Sequence, residues 1–131
     1  MAISATYKTL RHIALTEFSE IVVQAVILRL PTGDPHKLRL TLLDDSIIDV
    51  FFSVSGRYSY HWDRRPAGKT TIYRHDNAPH AAWQKVKTFP HHFHDAEEKN
   101  VTASHLSVDP PEAIREFCTF VRQLLLDEAR S

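Results

Sequence analysis

The chain has 131 residues, 43% of them hydrophobic and 24% charged, which is an ordinary globular composition and excludes an intrinsically disordered protein. Its formal net charge is zero, which argues against a protein whose whole surface binds phosphate. No apolar run is long enough to span a bilayer, and one cysteine cannot form an internal disulfide, so we expect a single cytoplasmic domain over residues 1–131.

The N-terminal part of the chain begins with a helical pattern. Tyr7, Leu10 and Phe18 recur at helical spacing, which predicts an amphipathic helix over Ser4–Glu17. The following segment, Glu20–Leu30, is apolar and rich in β-branched residues. That composition fits either a buried strand or a continuation of the helix, and periodicity does not decide between them.

Alternating apolar and polar residues then predict a series of strands joined by short turns. The predicted strands are Lys37–Leu43, Ser46–Val54, Arg57–Trp62 and Thr70–His75. No period continues through the next segment, from residue 76 to residue 99, which indicates a long ordered loop, and a short strand is expected within residues 101–108.

The C-terminal segment predicts a long helix. Asp109 is a suitable N-cap, Pro110 follows as the first helical residue, and Glu112 has the spacing of a capping-box acid. One apolar stripe continues from there to Leu125. Together the patterns predict an α+β fold, with an antiparallel meander sheet of four to six strands covered by an N-terminal and a C-terminal helix.

Charge is unevenly distributed along the chain. The segment from Arg57 to Lys87 contains seven basic residues and only two acidic ones, so the remainder is acidic. Two interpretations are open: the basic segment presents one face to an anion, or its charges are scattered and solvated.

Histidines are concentrated in one part of the chain, and this is the main functional signal. Six of the nine lie between Tyr58 and His94, namely His61, His75, His80, His91, His92 and His94. Imidazole titrates near neutral pH, so two of them beside a phosphodiester can remove one proton and deliver another. Cleavage of RNA by its own 2′-hydroxyl needs little more than such a pair and a cation.

The same histidines allow a metal site. His92 and His94 are two residues apart and lie on one side of an extended segment, and zinc binds neutral imidazole well. The alternative to a cofactor-free protein is therefore zinc held by His80, His92 and His94, with Asp76 or Asp95 as a further ligand.

Several motifs together resemble the TumE family of toxin–antitoxin proteins. They are RYSYHWD, IYRHDNAPH and TFPHHFH, preceded by the strand pair LRLTLLDDSIIDVFFSV, and the resemblance covers about residues 38–94. It implies a small cytoplasmic toxin that is neutralised by a cognate antitoxin protein. RNA cleavage is common among toxins of this size, which is an analogy of fold and genetic context.

These observations predict a toxin that acts as a metal-independent endoribonuclease on RNA. The predicted catalytic residues are His61, His80, His92 and Asp76, and the predicted substrate-binding residues are Arg57, Tyr60, Trp62, Arg74 and Lys87. Two alternatives are a metal-binding protein or hydrolase built on the histidine cluster, and a non-catalytic protein-interaction module. Whether the chain forms a homodimer is left open, and no membrane partner is expected.

Overall fold

Two α-helices, seven strands and two short 3-10 helices, Arg65–Ala67 and Ala81–Trp83, build the described part of the protein. The structure, a computed structural model, describes residues 3–131. The elements are α1 (Ile3–Glu17), β1 (Val22–Arg29), β2 (Pro35–Leu42), β3 (Ile47–Phe52), β4 (Tyr58–Asp63), β5 (Ile72–Asp76), β6 (His92–Ala96), β7 (Val101–Ala103) and α2 (Pro110–Arg130). The strands form one antiparallel sheet in the order β1 to β7, so each pairs with the next along the chain. The predicted α+β meander is confirmed, with seven strands instead of four to six.

Both helices pack against the same face of the sheet. The core between them contains Tyr7 and Leu10 from α1 and Phe117 from α2, together with alternate residues of the central strands. Those strand residues are Leu38, Leu40, Leu42, Ile48, Val50, Tyr60, Trp62 and Tyr73. Because side chains alternate along a strand, the residues between them point to the opposite side of the sheet, against which neither α-helix of the described residues packs. We call that side, which carries Asp49, His61 and Arg74, the open face.

Most of the segment from residue 20 to residue 30 forms strand β1, Val22–Arg29. It turns sharply after α1, where the backbone N–H groups of Ile21 and Val22 both donate to the carbonyl of Phe18. β1 then pairs along most of its length with β2. Of the two interpretations of this segment, a strand or a continuation of the helix, the strand is therefore correct.

The predicted long loop is shorter than expected, because its second half forms β6. In this strand His92 and His94 are 1% and 3% exposed, whereas Phe93 points to the helix-covered side. A search for alternating hydrophobic residues misses such a strand, since the positions that it buries on the open face are histidines. The remaining loop, residues 77–91, folds over one end of the open face. The strand predicted within residues 101–108 extends only from Val101 to Ala103.

The predicted C-terminal helix is confirmed together with its cap. The Asp109 carboxylate accepts a hydrogen bond of 3.2 Å from the backbone N–H of Glu112. Glu112 does not close a capping box, because its carboxylate accepts a hydrogen bond from Ser107 instead. Near the end of α2, Glu128 binds Arg64, which anchors the last turns to the sheet. Within residues 3–131, no helix combines the length and the apolar character that crossing a bilayer requires.

Candidate functional site

The strand register brings the candidate residues of β4, β5 and β6 together on the open face. His61 is paired with Arg74, and Arg74 is paired with His94. Asp76 is paired with His92 in the next row on the same side. Directly paired residues of antiparallel strands point to the same face, so these side chains must be neighbours.

Arg74 is the centre of this group. Its Nε donates to Asp76 Oδ2 at 2.9 Å, and its terminal nitrogens lie 3.3 Å from His61 Nδ1 and 3.1 Å from His94 Nε2. The same two nitrogens donate to the two carboxylate oxygens of Glu98, each at 2.7 Å. We call these five residues the Arg74 cluster. Every nitrogen of the guanidinium is bound, so its position is well defined.

Burial and the neighbouring cation keep the imidazoles of this cluster uncharged. Burial first, and the charge of Arg74 second, lower the pKa of His61 below its ordinary value. Burial likewise lowers the pKa of His94, and Arg74 adds to the effect. Both rings are therefore neutral at pH 7 and able to accept a proton or bind a cation.

A second group lies deeper, beneath the loop. Asp76, His92 and His94 are all buried, and they offer three ligand atoms that lie within 4.8 Å of one another. His92 Nε2 is 3.0 Å from Asp76 Oδ1, and His94 Nε2 is 3.7 Å from Asp76 Oδ2. The ring of Trp83, from the loop, lies 6.2 Å and 5.9 Å from the two imidazole rings. We call these three residues the buried trio.

Two further predicted residues share a surface cleft beside the open face. Arg57 and His80 are exposed, and both line a cleft of about 320 Å³ together with residues 78, 79 and 81. Arg57 also borders a smaller cleft, which Asp76 lines as well. The two clefts share Arg57 and residue 78, and the second reaches Asp76 of the Arg74 cluster; neither is lined by His61 or Arg74.

Comparison with known proteins identifies the family of the chain. The family described as Toxin TumE matches residues 10–125, which is most of the sequence. The chain belongs to the TumE toxin family. No curated protein and no solved structure gives a significant match. As a TumE toxin, the chain is the toxin component of a toxin–antitoxin module, and its partner is an antitoxin.

Two residues predicted to bind substrate are in the core of this TumE toxin. Trp62 has no exposed surface, and its indole N–H donates to Ser46 Oγ at 2.9 Å. Tyr60 is 2% exposed and packs against Phe117 of α2. Trp62 therefore offers no surface for the predicted contact with substrate, and Tyr60 offers very little. The motif YSYHW has its aromatic residues toward the helices and His61 toward the open face.

The imidazoles of the TumE toxin divide between the two sides of the sheet. His61, His92 and His94 lie on the open face, whereas His75 stacks on Phe93 of the helix-covered side at 4.2 Å. There the ring nitrogen Nδ1 of His75 is 2.7 Å from Ser104 Oγ, and burial lowers the pKa of His75 to about 4. Not all of the clustered histidines therefore belong to one site.

Two of the seven basic residues in the basic segment are paired with acids from elsewhere in the chain. Arg64 is buried and paired with Glu128, and Arg74 is paired with Glu98. Counting charge along the sequence misses such pairs, because the acids lie outside the segment. Arg57 and Lys87 remain exposed, and they are the predicted substrate-binding cations that are most accessible to an anion.

Two residues of the site were not singled out by the sequence. Glu98 has no motif around it, and its pairing with Arg74 depends on the hairpin between β6 and β7. Trp83 lies between the DNAPH and TFPHH motifs. The signal that could have identified it is the presence of a large aromatic residue within a polar loop. The ligand set at metal-binding distance contains Asp76 in place of the predicted His80, which is exposed.

Proposed function

We propose that this TumE toxin is an endoribonuclease whose reaction takes place at the open face beside Arg74. The observation that supports this most is the contact between His61 and Arg74, where a ring nitrogen lies 3.3 Å from the guanidinium. A neutral imidazole and a fixed cation are the two groups that RNA cleavage by the neighbouring 2′-hydroxyl requires first.

In this proposal His61 is the general base. Arg74 can only donate, so the lone pair of the neutral His61 ring is on Nδ1, and the ring gives up its contact with Arg74 as Nδ1 takes the proton. It takes the proton of the 2′-hydroxyl as that oxygen attacks the adjacent phosphorus, and the bond to the 5′-oxygen of the next nucleotide breaks. The products are a 2′,3′-cyclic phosphate and a 5′-hydroxyl end. Arg74 stabilises the additional negative charge on the phosphate oxygens, and its two terminal nitrogens suit a bidentate contact.

The phosphate has to take the place of Glu98 on Arg74. Glu98 is 59% exposed and lies on a hairpin, so its carboxylate can turn toward solvent without loss of core packing. A phosphate binds the same guanidinium nitrogens in similar geometry and carries charge of the same sign. Glu98 is therefore an internal competitor of the substrate.

The second proton transfer is assigned to the exposed side of the site. Of the two histidines predicted as partners of His61, His92 is 1% exposed, and delivering a proton to a bound RNA requires contact with it. His80 is exposed and lines a cleft with Arg57, so we assign His80 as the general acid and Arg57 as a phosphate contact. Trp83, half-exposed on the same loop, is the aromatic side chain available for stacking on a base.

The direct test is incubation of purified toxin with single-stranded RNA in the presence of EDTA. We expect cleavage by the wild type and at least about a hundredfold slower cleavage by His61→Ala and Arg74→Gln, since positioned acid–base groups contribute factors of that order. His12→Ala is the matched control, because His12 is an exposed histidine of α1. Equal cleavage by all four proteins, or none by the wild type, would contradict the proposal.

A further inference from the structure

The buried trio has an unusual orientation of its ring nitrogens. His92 Nδ1 is 2.9 Å from the carbonyl oxygen of Pro90, and His94 Nδ1 is 2.8 Å from the carbonyl oxygen of Glu98. A carbonyl oxygen can only accept, so the proton of each neutral ring is on Nδ1. The lone pair of each ring is then on Nε2, and both Nε2 atoms point toward the Asp76 carboxylate.

In this arrangement the hydrogen-bond acceptors of His92, His94 and Asp76 lie close together, and few N–H groups donate to them. Arg74 supplies one N–H to Asp76 Oδ2 and one to His94 Nε2. The backbone N–H of Ala78 donates to Asp76 Oδ1 at 3.0 Å, so His92 Nε2 is the acceptor without a donor. The contact of 3.0 Å between His92 Nε2 and Asp76 Oδ1 then joins a lone pair to a carboxylate oxygen. Two acceptors at that distance repel each other unless a cation or a second proton on the ring lies between them.

We propose that Asp76, His92 and His94 bind a divalent transition metal ion of the zinc class. Two ligands of a tetrahedral zinc ion, each at about 2.0–2.1 Å, are separated by roughly 3.3 Å. The separations of 3.0 Å and 3.7 Å involve different oxygens of Asp76, and with one ligand atom from each residue the three atoms lie within 4.8 Å of one another, so the side chains have to draw together to complete the coordination. Two imidazoles and one carboxylate leave a fourth position for water.

The surroundings are those of a metal site. Ligating histidines commonly donate their other N–H to a backbone carbonyl, which fixes the ring and its lone pair, and both histidines of the trio do so. All three residues are buried, with 8% of Asp76, 1% of His92 and 3% of His94 exposed, and Trp83 lies beside both rings. The ion joins the end of β5 to β6. When it binds, the Nε2 lone pair of His94 goes to the ion, so Arg74 gives up its contact with that atom and keeps its two bonds to Glu98.

The trio shares Asp76 and His94 with the Arg74 cluster, but metal binding is measured without RNA, so its test is separate from that of RNA cleavage. The test is a titration of untagged, chelator-treated toxin with cobalt(II), followed by visible absorption, and a zinc titration followed by calorimetry. We expect one equivalent of each ion to bind. Asp76→Asn and His94→Ala should weaken binding at least about tenfold, as loss of a ligand or its support does in other metal sites.

The controls are His12→Ala and His80→Ala, which remove exposed histidines and should bind the ions like the wild type. Circular dichroism shows whether each variant is folded. Zinc should also raise the midpoint of thermal unfolding of the wild type, which tests the site even where a variant fails to fold. Less than a tenth of an equivalent of bound ion, or equal binding by the His94→Ala protein, would overturn the proposal. In that case a second proton on His92 accounts for its contact with Asp76.

Discussion

The Glu98 carboxylate receives two hydrogen bonds of 2.7 Å from the Arg74 guanidinium, although the residues are 24 positions apart in the chain. These bonds lower the pKa of Glu98, so it is ionised at neutral pH and carries the same sign of charge as a phosphate. Arg74 thus binds a carboxylate of the protein itself, that of Glu98, at the position where we place the phosphate of the substrate.

Replacing Glu98 should therefore increase RNA binding. An exposed ion pair is worth about 1 kcal/mol or less, so Glu98→Gln should tighten binding by up to about fivefold. Fluorescence anisotropy with a labelled oligonucleotide that carries 2′-O-methyl groups measures binding without cleavage. Glu97→Gln is the matched control, since Glu97 precedes it on the same hairpin and is exposed. Weaker binding by Glu98→Gln would show that Glu98 supports the substrate site instead of competing with the substrate.

The pH dependence of cleavage tests the role of His61. A general base must be neutral, and burial and Arg74 lower the pKa of His61, so kcat/KM should fall only below the ordinary histidine value of about 6.5. Asp63 acts in the opposite direction and raises the pKa of His61. Asp63→Asn should accordingly move the acid limb to still lower pH, as a series of initial rates between pH 4 and pH 8 would reveal. An acid limb above pH 6.5 would exclude His61 as the base.

The pair between Arg64 and Glu128 should contribute more stability than an exposed pair. Arg64 is 3% exposed at its side chain and donates to both Glu128 oxygens, at 2.7 Å and 2.6 Å. Glu128→Ala leaves this guanidinium with a weaker contact to Asp44 at 3.7 Å, and we expect a loss of about 1–3 kcal/mol. The matched control is Glu17→Ala, which breaks an exposed pair with Arg115 and should cost clearly less stability than Glu128→Ala.

Urea unfolding at neutral pH measures both losses. The two glutamates lie near the C-terminal ends of α2 and α1, so the change in helix propensity is similar in both variants. Equal losses would mean that the buried guanidinium finds other partners when Glu128 is removed.

The thiol of Cys118 should be inert in the folded protein. It has no exposed surface, and burial raises its pKa to about 12. Because the thiolate is the reactive form, a disulfide reagent at pH 8 should label the native protein only as fast as it opens, and should label it within minutes in urea. Rapid labelling of the native protein would place Cys118 nearer the surface than the structure does.

The sequence predicted the parts of the fold that depend on local patterns. The apolar stripe and the Asp109 cap predicted α2, and alternation predicted β2 to β5. It also separated Tyr60 and Trp62 from His61, but it could not tell which side the helices cover, because burial is decided by packing between distant elements. For the same reason aromatic residues that build the core were interpreted as contacts for a base.

The sequence indicated which residue types form the site, but it did not indicate which of these side chains contact one another. Alternation placed His92 and His94 on one side of an extended segment. The segment was predicted to be a loop, however, so strand β6, which carries both residues, was missed. Asp76 was predicted as a catalytic residue, and the strand pairing with His92 brings it into the buried trio. Glu98 could not be found, since its contact with Arg74 is created by a hairpin that no sequence motif indicates.

The claim on which the account depends most is that RNA is cleaved by its own 2′-hydroxyl at the open face. Analysis of the cleaved ends, on an oligonucleotide in which the scissile position is either ribose or deoxyribose, tests it most directly. We predict a 2′,3′-cyclic phosphate and a 5′-hydroxyl from the ribose substrate in EDTA, and no cleavage at the deoxyribose. Cleavage of both substrates, or a 5′-phosphate end, would contradict it.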